Sequence, residues 1–178
     1  MPTSPDPVPE GFLSFAETAL DRTGERLPGT DRSAMAMVLL LHRVASAIVY
    51  DLESTVHRPA GWSWSAFRLL FTLWVSGPQE AARCAELAGM SRAAVSSLAK
   101  TLEAAGLVER ADDPRDRRTV VLGLTASGAA RLQETFGVHN KREADWAGLL
   151  TADELATLNG LLAKLAAAAQ EQDWIRRR

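Results

Sequence analysis

Three arginines and an aspartate are crowded into the segment Arg115-Asp116-Arg117-Arg118, directly before the sequence Thr-Val-Val-Leu at residues 119–122. If this segment is the tip of a β-hairpin, residues i and i+2 share a face, so the Asp116 carboxylate is placed to hold the Arg118 guanidinium extended. An arginine presented in this way fits the narrow minor groove of DNA, where the negative potential is enhanced. Arg115 and Arg117 would then contact phosphates. For a turn taken alone, a solvated cluster of charges is the simpler interpretation.

A second set of polar side chains lies on one face of a helix predicted over residues 91–105. Its apolar residues recur at helical spacing and are expected to face the core: Val95, Leu98, Ala99 and Leu102. The remaining outward face is Ser91, Arg92, Ala93, Ser96, Ser97 and Lys100. Small side chains let a helix lie deep in the major groove, where Arg92 is placed to reach a guanine edge and Lys100 a phosphate. Any surface helix carries serines and an occasional arginine, but this face has no acid before Glu103.

The elements that would position these side chains follow from caps and turns. Residues 79–88 and 91–105 are predicted to form a helix-turn-helix, in which Ala85 lets the helices cross closely and Gly89 takes the bend. Residues 107–110 and 119–122 are predicted strands that flank an exposed turn at 112–118. Good N-caps are Thr30 or Asp31, Ser63, Ser91 and Thr125, and residues 151–154 match a capping box. The sequence therefore predicts a helix-turn-helix and a β-hairpin, followed by two more helices over about 125–146 and 151–174.

Helices are also predicted upstream, over about 10–26, 31–57 and 64–76, whereas residues 1–9 contain four prolines and are expected to be disordered. The expected organisation is a disordered segment 1–9, N-terminal dimerisation and ligand-pocket helices at 10–60, a winged helix-turn-helix DNA-binding domain at 61–125 and C-terminal dimerisation helices at 126–178. The last helix carries an apolar stripe: Leu155, Leu158, Leu162, Leu165 and Ala169. Such a seam suits a partner helix in a second copy, although one protomer could also bury it internally.

Residues 107–128 resemble the wing of the MarR family of bacterial transcription regulators. The resemblance is carried by Leu107-Val-Glu-Arg, by Asp-Pro-Arg-Asp-Arg-Arg at 113–118 and by Leu-Gly-Leu-Thr-Ala-Ser-Gly at 122–128, and it extends over about 31–174. It implies a mainly α fold, a winged helix-turn-helix with a two-stranded β-hairpin wing and long N- and C-terminal dimerisation helices. It also implies a homodimer on a pseudo-palindromic operator in double-stranded DNA, usually a repressor released by a small anionic aromatic ligand. Asp116 and Arg118 would be the wing pair in the minor groove.

The aromatic residues before the helix-turn-helix raise the question of where such a ligand would bind. Trp64, Phe67, Phe71 and Trp74 follow one another at helical spacing, which is typical of core packing. The alternative is a pocket between this helix and the long helix before it. In that case the candidate ligand-binding residues are His42, Arg43, Trp64, Phe67, Arg68 and Phe71.

The two arginines of this set would meet the ligand anion, or would pair with a protein acid such as Asp51 or Glu53. The extra N-terminal helix resembles the urate-responsive branch of the family. That branch carries Trp-Asp where this chain has Phe67-Arg68, which argues against urate and leaves an anionic ligand of another kind.

Composition limits the remaining choices. The net charge of −2 excludes a general nucleic-acid coat protein, so DNA binding must come from a local basic surface. The single cysteine, Cys84, excludes a disulfide framework, favours the cytoplasm and is expected to be a small packed residue rather than a redox sensor. The longest apolar run, 34–41, ends at His42, far short of the ~20 residues that span a bilayer, so no membrane association is expected.

Catalysis is the least favoured class of function. The histidines His42, His57 and His139 show no metal-ligand spacing, and no cofactor is expected. No Ser-His-Asp order or phosphate-binding glycine loop is present. The sequence therefore predicts a homodimeric, ligand-responsive, sequence-specific DNA-binding regulator. The alternative is a winged-helix protein-interaction module that antagonises another regulator without binding DNA, and the basic tip at 115–118 counts against it.

Overall fold

A computed structural model of the chain describes residues 11–112 and 120–172. Contacts divide the chain into two compact units, Met1–Tyr50 and Asp51–Arg178. The fold is mainly helical with one small sheet, as predicted. In chain order the elements are α1 (Phe12–Arg26), α2 (Arg32–Leu52), a π-helical turn (Glu53–His57), α3 (Trp64–Ser76), β1 (Gln79–Glu80), α4 (Ala81–Ala88), α5 (Arg92–Ala104), β2 (Val108–Asp112), β3 (Val120–Leu124), α6 (Ala126–Ala147) and α7 (Ala152–Glu171).

The first unit holds α1 and most of α2. Arg32 joins the two helices, because its Nη1 donates to the Leu20 carbonyl oxygen at 2.9 Å while its Nη2 pairs with Asp21. The Arg43 guanidinium lies over the ring of Phe12, 5.2 Å from the ring centroid. These contacts hold the two helices together, while many of their apolar side chains remain exposed.

The continuous helix from Arg32 to His57 is long and apolar enough to span a membrane, judged by length and composition alone. Its exposed apolar side chains include Met37, Val38, Leu40, Leu41 and Val44. The same composition is typical of a helix that is buried against a partner chain, which is the role that the sequence predicts for it.

The sheet has three antiparallel strands in the order β1-β3-β2. β2 pairs with β3 along its whole length, from Val108 to Asp112, and these are the two strands predicted for the wing. β1 adds Gln79 and Glu80 to the other edge of β3. The prediction that the helix-turn-helix, or reading head, begins at about residue 79 is therefore wrong by two residues. Its first helix, α4, begins at Ala81. A two-residue strand carries no alternating pattern, so only its pairing with β3 reveals it.

Side-chain caps begin several helices at the predicted positions. The cap accepts a backbone N–H three residues further on in each of these pairs: Asp31 from Ala34, Ser63 from Ala66, Ser91 from Ala94 and Thr125 from Gly128. Thr151 and Glu154 complete the predicted capping box, since each backbone N–H donates to the other side chain, at 2.8 and 3.4 Å. Caps of this kind contribute about 0.5–2 kcal/mol each and define where a helix starts.

The core of the second unit is assembled around α3 and draws side chains from α4, α5, α6 and both long strands. Its most deeply buried members are Leu69, Leu70, Cys84, Val95, Leu122 and Leu132. At the root of the wing, the Thr125 hydroxyl donates to the Gly106 carbonyl at 2.7 Å. A Cβ on Gly128 would overlap the Leu107 carbonyl oxygen, so only glycine lets α6 approach β2 this closely. The wing therefore leaves the core from a fixed base.

Candidate nucleic-acid interface and ligand cavity

The corner between α4 and α5 sets the direction of the candidate reading helix. Gly89 adopts the left-handed conformation (φ 65°, ψ 39°), which a residue with a Cβ rarely does. The Met90 N–H then donates to the Ala85 carbonyl at 2.8 Å. Ser91 caps α5 at 3.2 Å. The bend is thus fixed by backbone geometry and by two local hydrogen bonds.

The outward face of α5 has the orientation that the sequence predicts. Exposed residues are Ser91, Arg92, Ala93, Ser96, Ser97 and Lys100, whereas Val95, Ala99 and Leu102 are buried and Leu98 is half-buried. All six candidate DNA-contacting residues of this helix therefore share one accessible surface. That they contact DNA stays a prediction.

The acid on α5 that lies nearest to this face forms an ion pair with an arginine of β2. Glu103 accepts from Arg110 Nε on β2 at 3.1 Å. The pair offsets the charge of the one carboxylate that follows the face formed by Ser91 to Lys100. A phosphate backbone that approaches this face meets arginine, lysine and hydroxyl groups first.

The structure describes the two strands of the wing but not the segment that connects them. Asp112 on β2 pairs with Val120 on β3, so residues 113–119 connect two strands whose register is fixed. The predicted groove-contacting residues Arg115, Asp116, Arg117 and Arg118 lie outside the described residues.

Of the predicted dimerisation stripe on α7, Leu158, Leu162 and Leu165 are exposed, whereas Leu155 and Ala169 are half-buried. No residue of α7 is buried within the described chain, and its accessible leucines include Leu158, Leu161, Leu162 and Leu165. The alternative that one protomer buries this stripe internally therefore finds no support in the described chain. The stripe is also broader than predicted, because Leu161 belongs to it.

A cavity of about 370 Å³ lies beside α3, and four of the six candidate ligand-binding residues line it. These are Trp64, Phe67, Arg68 and Phe71; Phe136, His139 and Glu143 of α6 and Leu87 and Ala88 of α4 also line it. Neighbouring rings are nearly parallel, with interplanar angles of 17° for Phe67–Phe71 and 19° for Phe71–Phe136. The other two candidates, His42 and Arg43, belong to the first unit, and their part in a ligand site stays a prediction. Trp74 is not among the lining residues.

The predicted pairing of Arg43 or Arg68 with Asp51 or Glu53 is wrong. Asp51 accepts instead from Arg142, at 2.7 and 2.9 Å, and from Trp146 Nε1 at 2.7 Å. The hydrogen bonds from Arg142, followed by that from Trp146, lower the pKa of Asp51. Glu53 pairs with Arg58. Arg142 lies 91 residues from Asp51, so no local pattern could have indicated this partner.

Arg68 bonds to the reading head instead. Its Nη2 donates to the carbonyl oxygen of Ala88, the last residue of α4. The side chain thus joins α3 to the corner that carries α5, and it also contributes positive charge to the cavity wall.

Two histidines that are far apart in the sequence lie next to each other beside this cavity. The ring centroids of His57 and His139 are 5.1 Å apart, and Phe67 contacts both. Burial, and then the neighbouring His139, lowers the pKa of His57 to about 4. His139 Nε2 lies 3.0 Å from a Glu143 carboxylate oxygen. Spacing along the chain contains no signal that relates residue 57 to residue 139.

The remaining chemistry-bearing groups include the single cysteine. Cys84 is buried, and burial raises the pKa of its thiol, as expected for a packed residue. Within residues 11–112 and 120–172, no three His, Cys, Asp or Glu side chains are grouped so that they could hold a metal ion.

Comparison with known proteins gives a consistent result. The model of the MarR family matches residues 62–120. The chain is 36% identical over 133 residues to the uncharacterised HTH-type transcriptional regulator YwaE of Bacillus subtilis (strain 168), covering 75% of this chain and 78% of that protein. It is 29% identical over 105 residues to the HTH-type transcriptional repressor MdtR of the same organism, covering 59% and 68%.

The fold comparison agrees with the sequence comparison. The chain resembles a mutant of MarR from E. coli whose crystal structure is in complex with operator DNA, with a TM-score of 0.67 and 25% identity. The match covers 80% of this chain and 96% of that one.

Proposed function

Because this chain belongs to the MarR family of transcriptional regulators, which are not enzymes, we propose that it is a homodimeric repressor released from its operator by a small anionic aromatic ligand. The observation that carries this proposal is the exposed face of α5, free of acids and held on a rigid corner. Residues 61–125 then read DNA, while 10–60 and 126–178 serve dimerisation and ligand response. Such a protein acts in the cytoplasm, where its DNA is.

In this proposal α5 enters the major groove. Its four small residues allow close approach: Ser91, Ala93, Ser96 and Ser97. Arg92, in the first turn, reaches a guanine edge, and Lys100 contacts a phosphate. The crystal structure of the similar E. coli MarR mutant, in complex with operator DNA, supports DNA binding by this fold.

The wing supplies a second contact, in the minor groove. Its strands are paired up to Asp112 and Val120, so the connecting segment starts from a fixed base. Asp116 orients Arg118 into the groove, and Arg115 and Arg117 contact the flanking phosphates.

A second copy of the chain covers the exposed leucines of α7 and the exposed apolar face of α2. Two reading heads are needed to span half-sites about one helical turn, ~34 Å, apart. A symmetric pair of such heads matches a pseudo-palindromic operator. The name of the relative MdtR, a transcriptional repressor, supports the sign of regulation.

The cavity beside α3 is the proposed ligand site. Its nearly parallel rings suit a flat aromatic molecule, and Arg68 suits an anionic substituent. Since Leu87 and Ala88 of α4 line the same cavity, a ligand there bears directly on the first helix of the reading head. Ligand binding that favours a different position of α4 lowers the affinity for DNA by the same coupling energy.

The proposal is tested by titrating the protein against a labelled fragment from upstream of its own gene. We expect saturable binding at moderate salt that unlabelled copies of the fragment compete away and unrelated DNA of equal length does not. A set of planar aromatic carboxylates should then raise the dissociation constant of the complex. Absence of any DNA binding would favour the protein-interaction module instead.

A further inference from the structure

Two buried imidazoles beside the cavity lack the hydrogen bonds that buried polar groups normally make. His57 is 0% exposed, and neither of its ring nitrogens has a partner among the described residues. His139 is 3% exposed, and its Nδ1 also has no hydrogen-bond partner among the described residues. A buried polar atom left unsatisfied destabilises a protein by about 1–3 kcal/mol, and native structures contain few of them. Phenylalanine would fill the same space without that penalty.

The backbone departs from regular structure at the same place. His57 ends the π-helical turn that follows α2, in which the Arg58 N–H donates to the Glu53 carbonyl at 2.9 Å. Short π-helical turns are rare and occur frequently at functional sites. Two unfavourable features that converge on one residue indicate a position selected for function rather than for stability.

One ring links these imidazoles to the cavity. The centroid of Phe67 lies 4.3 Å from that of His57 and 4.4 Å from that of His139. Phe67 also lines the cavity, as His139 does. A rotation of the Phe67 side chain would therefore extend the cavity towards the unpartnered nitrogens. Core side chains do change rotamers, although the time-averaged core is closely packed.

We propose that His57 and His139 form the inner, hydrogen-bonding wall of the ligand site, and that the ligand is a planar aromatic molecule whose edge carries both a hydrogen-bond donor and an acceptor. This inference rests on the proposed ligand site. Because the pKa of His57 is about 4, its ring is neutral at pH 7 and offers one N–H and one lone pair. In a neutral His139 ring that donates its Nε2 proton to Glu143, Nδ1 offers a lone pair.

A matched pair of small molecules tests the donor requirement. 2-Quinolone-4-carboxylate has a flat ring system, an anionic group for Arg68 and a lactam edge with one N–H and one C=O. Its N-methyl derivative lacks only the donor. Binding is measured without DNA, by the change in tryptophan fluorescence, because Trp64 lines the cavity. We expect the N–H compound to bind about tenfold more tightly, which corresponds to ~1.4 kcal/mol, about one hydrogen bond.

Three variants locate the preference. His57→Phe and His139→Phe should each reduce the tenfold preference to near unity. His57→Phe should leave the melting temperature unchanged or higher, because it removes an unsatisfied polar group and keeps a ring, whereas His139→Phe also loses the contact of Nε2 with Glu143. Trp62→Phe is the matched control. Among the described residues Trp62 Nε1 is also buried without a partner, but the Trp62 ring neither lines the cavity nor contacts the Phe67 ring as His57 and His139 do. That variant should keep the preference of the wild type.

A second measurement covers the case in which a variant does not fold. In the ¹⁵N spectrum of histidine-labelled wild-type protein, the unprotonated imidazole nitrogens should shift with the N–H compound and not with its N-methyl derivative. Equal affinity for both compounds, binding of neither, or an undiminished preference in His57→Phe and His139→Phe would overturn the inference. Loss of operator binding would instead refute the proposed repressor and leave these ratios untouched.

Discussion

Helices α5 and α7 each present an exposed face, and the two faces have opposite chemistry. The face of α5 from Ser91 to Lys100 carries serines, alanine, arginine and lysine, whereas the exposed side chains of α7 are mainly leucines and alanines. A polar face is stable in water and can bind and release its partner. Exposed leucines gain about 25 cal/mol for each Å² of apolar surface that a partner removes from water. In the proposed function, this difference gives α7 a permanent partner and α5 a reversible, charged one.

The two faces should also respond differently to salt. Binding to DNA releases counterions and weakens steeply as the salt concentration rises. Association through leucines has no such dependence, since it removes apolar surface rather than neutralising charge. Variants of the α5 face should therefore change DNA binding, and variants of the α7 face should change the association of two chains.

The largest effect is expected from charges placed in the leucine face. The double variant Leu158→Asp and Leu162→Asp should raise the dissociation constant of the dimer at least about 100-fold, because each buried leucine contributes roughly 1.5–3 kcal/mol. Operator affinity should fall with it. Analytical ultracentrifugation and DNA titration measure both. Asn159→Asp, an added charge on the same helix outside this stripe, should leave the dimer intact; a double variant that remains dimeric would assign α7 another role.

Removal of the wing arginine is expected to have the next largest effect. Arg118→Ala should weaken operator binding by about 10- to 100-fold, the ~1–3 kcal/mol of a positioned arginine contact. Arg58→Ala is the control, since Arg58 pairs with Glu53 and belongs to neither α5 nor the wing. Wild-type affinity of the Arg118 variant, measured by fluorescence anisotropy, would remove the wing from the mechanism.

The effect of Arg92→Ala should depend on the DNA sequence. We expect about tenfold weaker binding to the operator and less discrimination between the operator and versions with one base pair changed, because a guanine contact is lost. The measurement is a set of titrations against such substituted operators. A loss that is uniform over all of them would show that Arg92 contacts the backbone.

Lys100→Ala should have the smallest effect and a different signature. It should weaken binding only a few-fold on every sequence and reduce the slope of log affinity against log salt by about one, because one phosphate contact is lost. Lys164→Ala removes the same charge from α7 and should leave the slope unchanged. An unaltered slope for Lys100→Ala would place that lysine away from the DNA backbone.

Local signals in the sequence were sufficient for much of the fold. The helix starts at Ser63, Ser91, Thr125 and Thr151, the bend at Gly89 and the inward face of α5 all follow from contacts within a few residues. The strand β1 was missed because two residues have no periodicity. In the candidate site, α3 was recognised from its aromatic spacing, but the α6 residues that complete the cavity were not.

The order of residues alone determined the caps, the corner, the hairpin strands and the exposed polar face of α5, since each depends on hydrogen bonds or periodicity over three or four positions. Only the tertiary structure decided that Asp51 pairs with Arg142, that Arg68 bonds to the end of α4 and that His57 meets His139 beside Phe67. These contacts join segments far apart along the chain. Their geometry is set by how whole helices pack, and no short-range pattern records it.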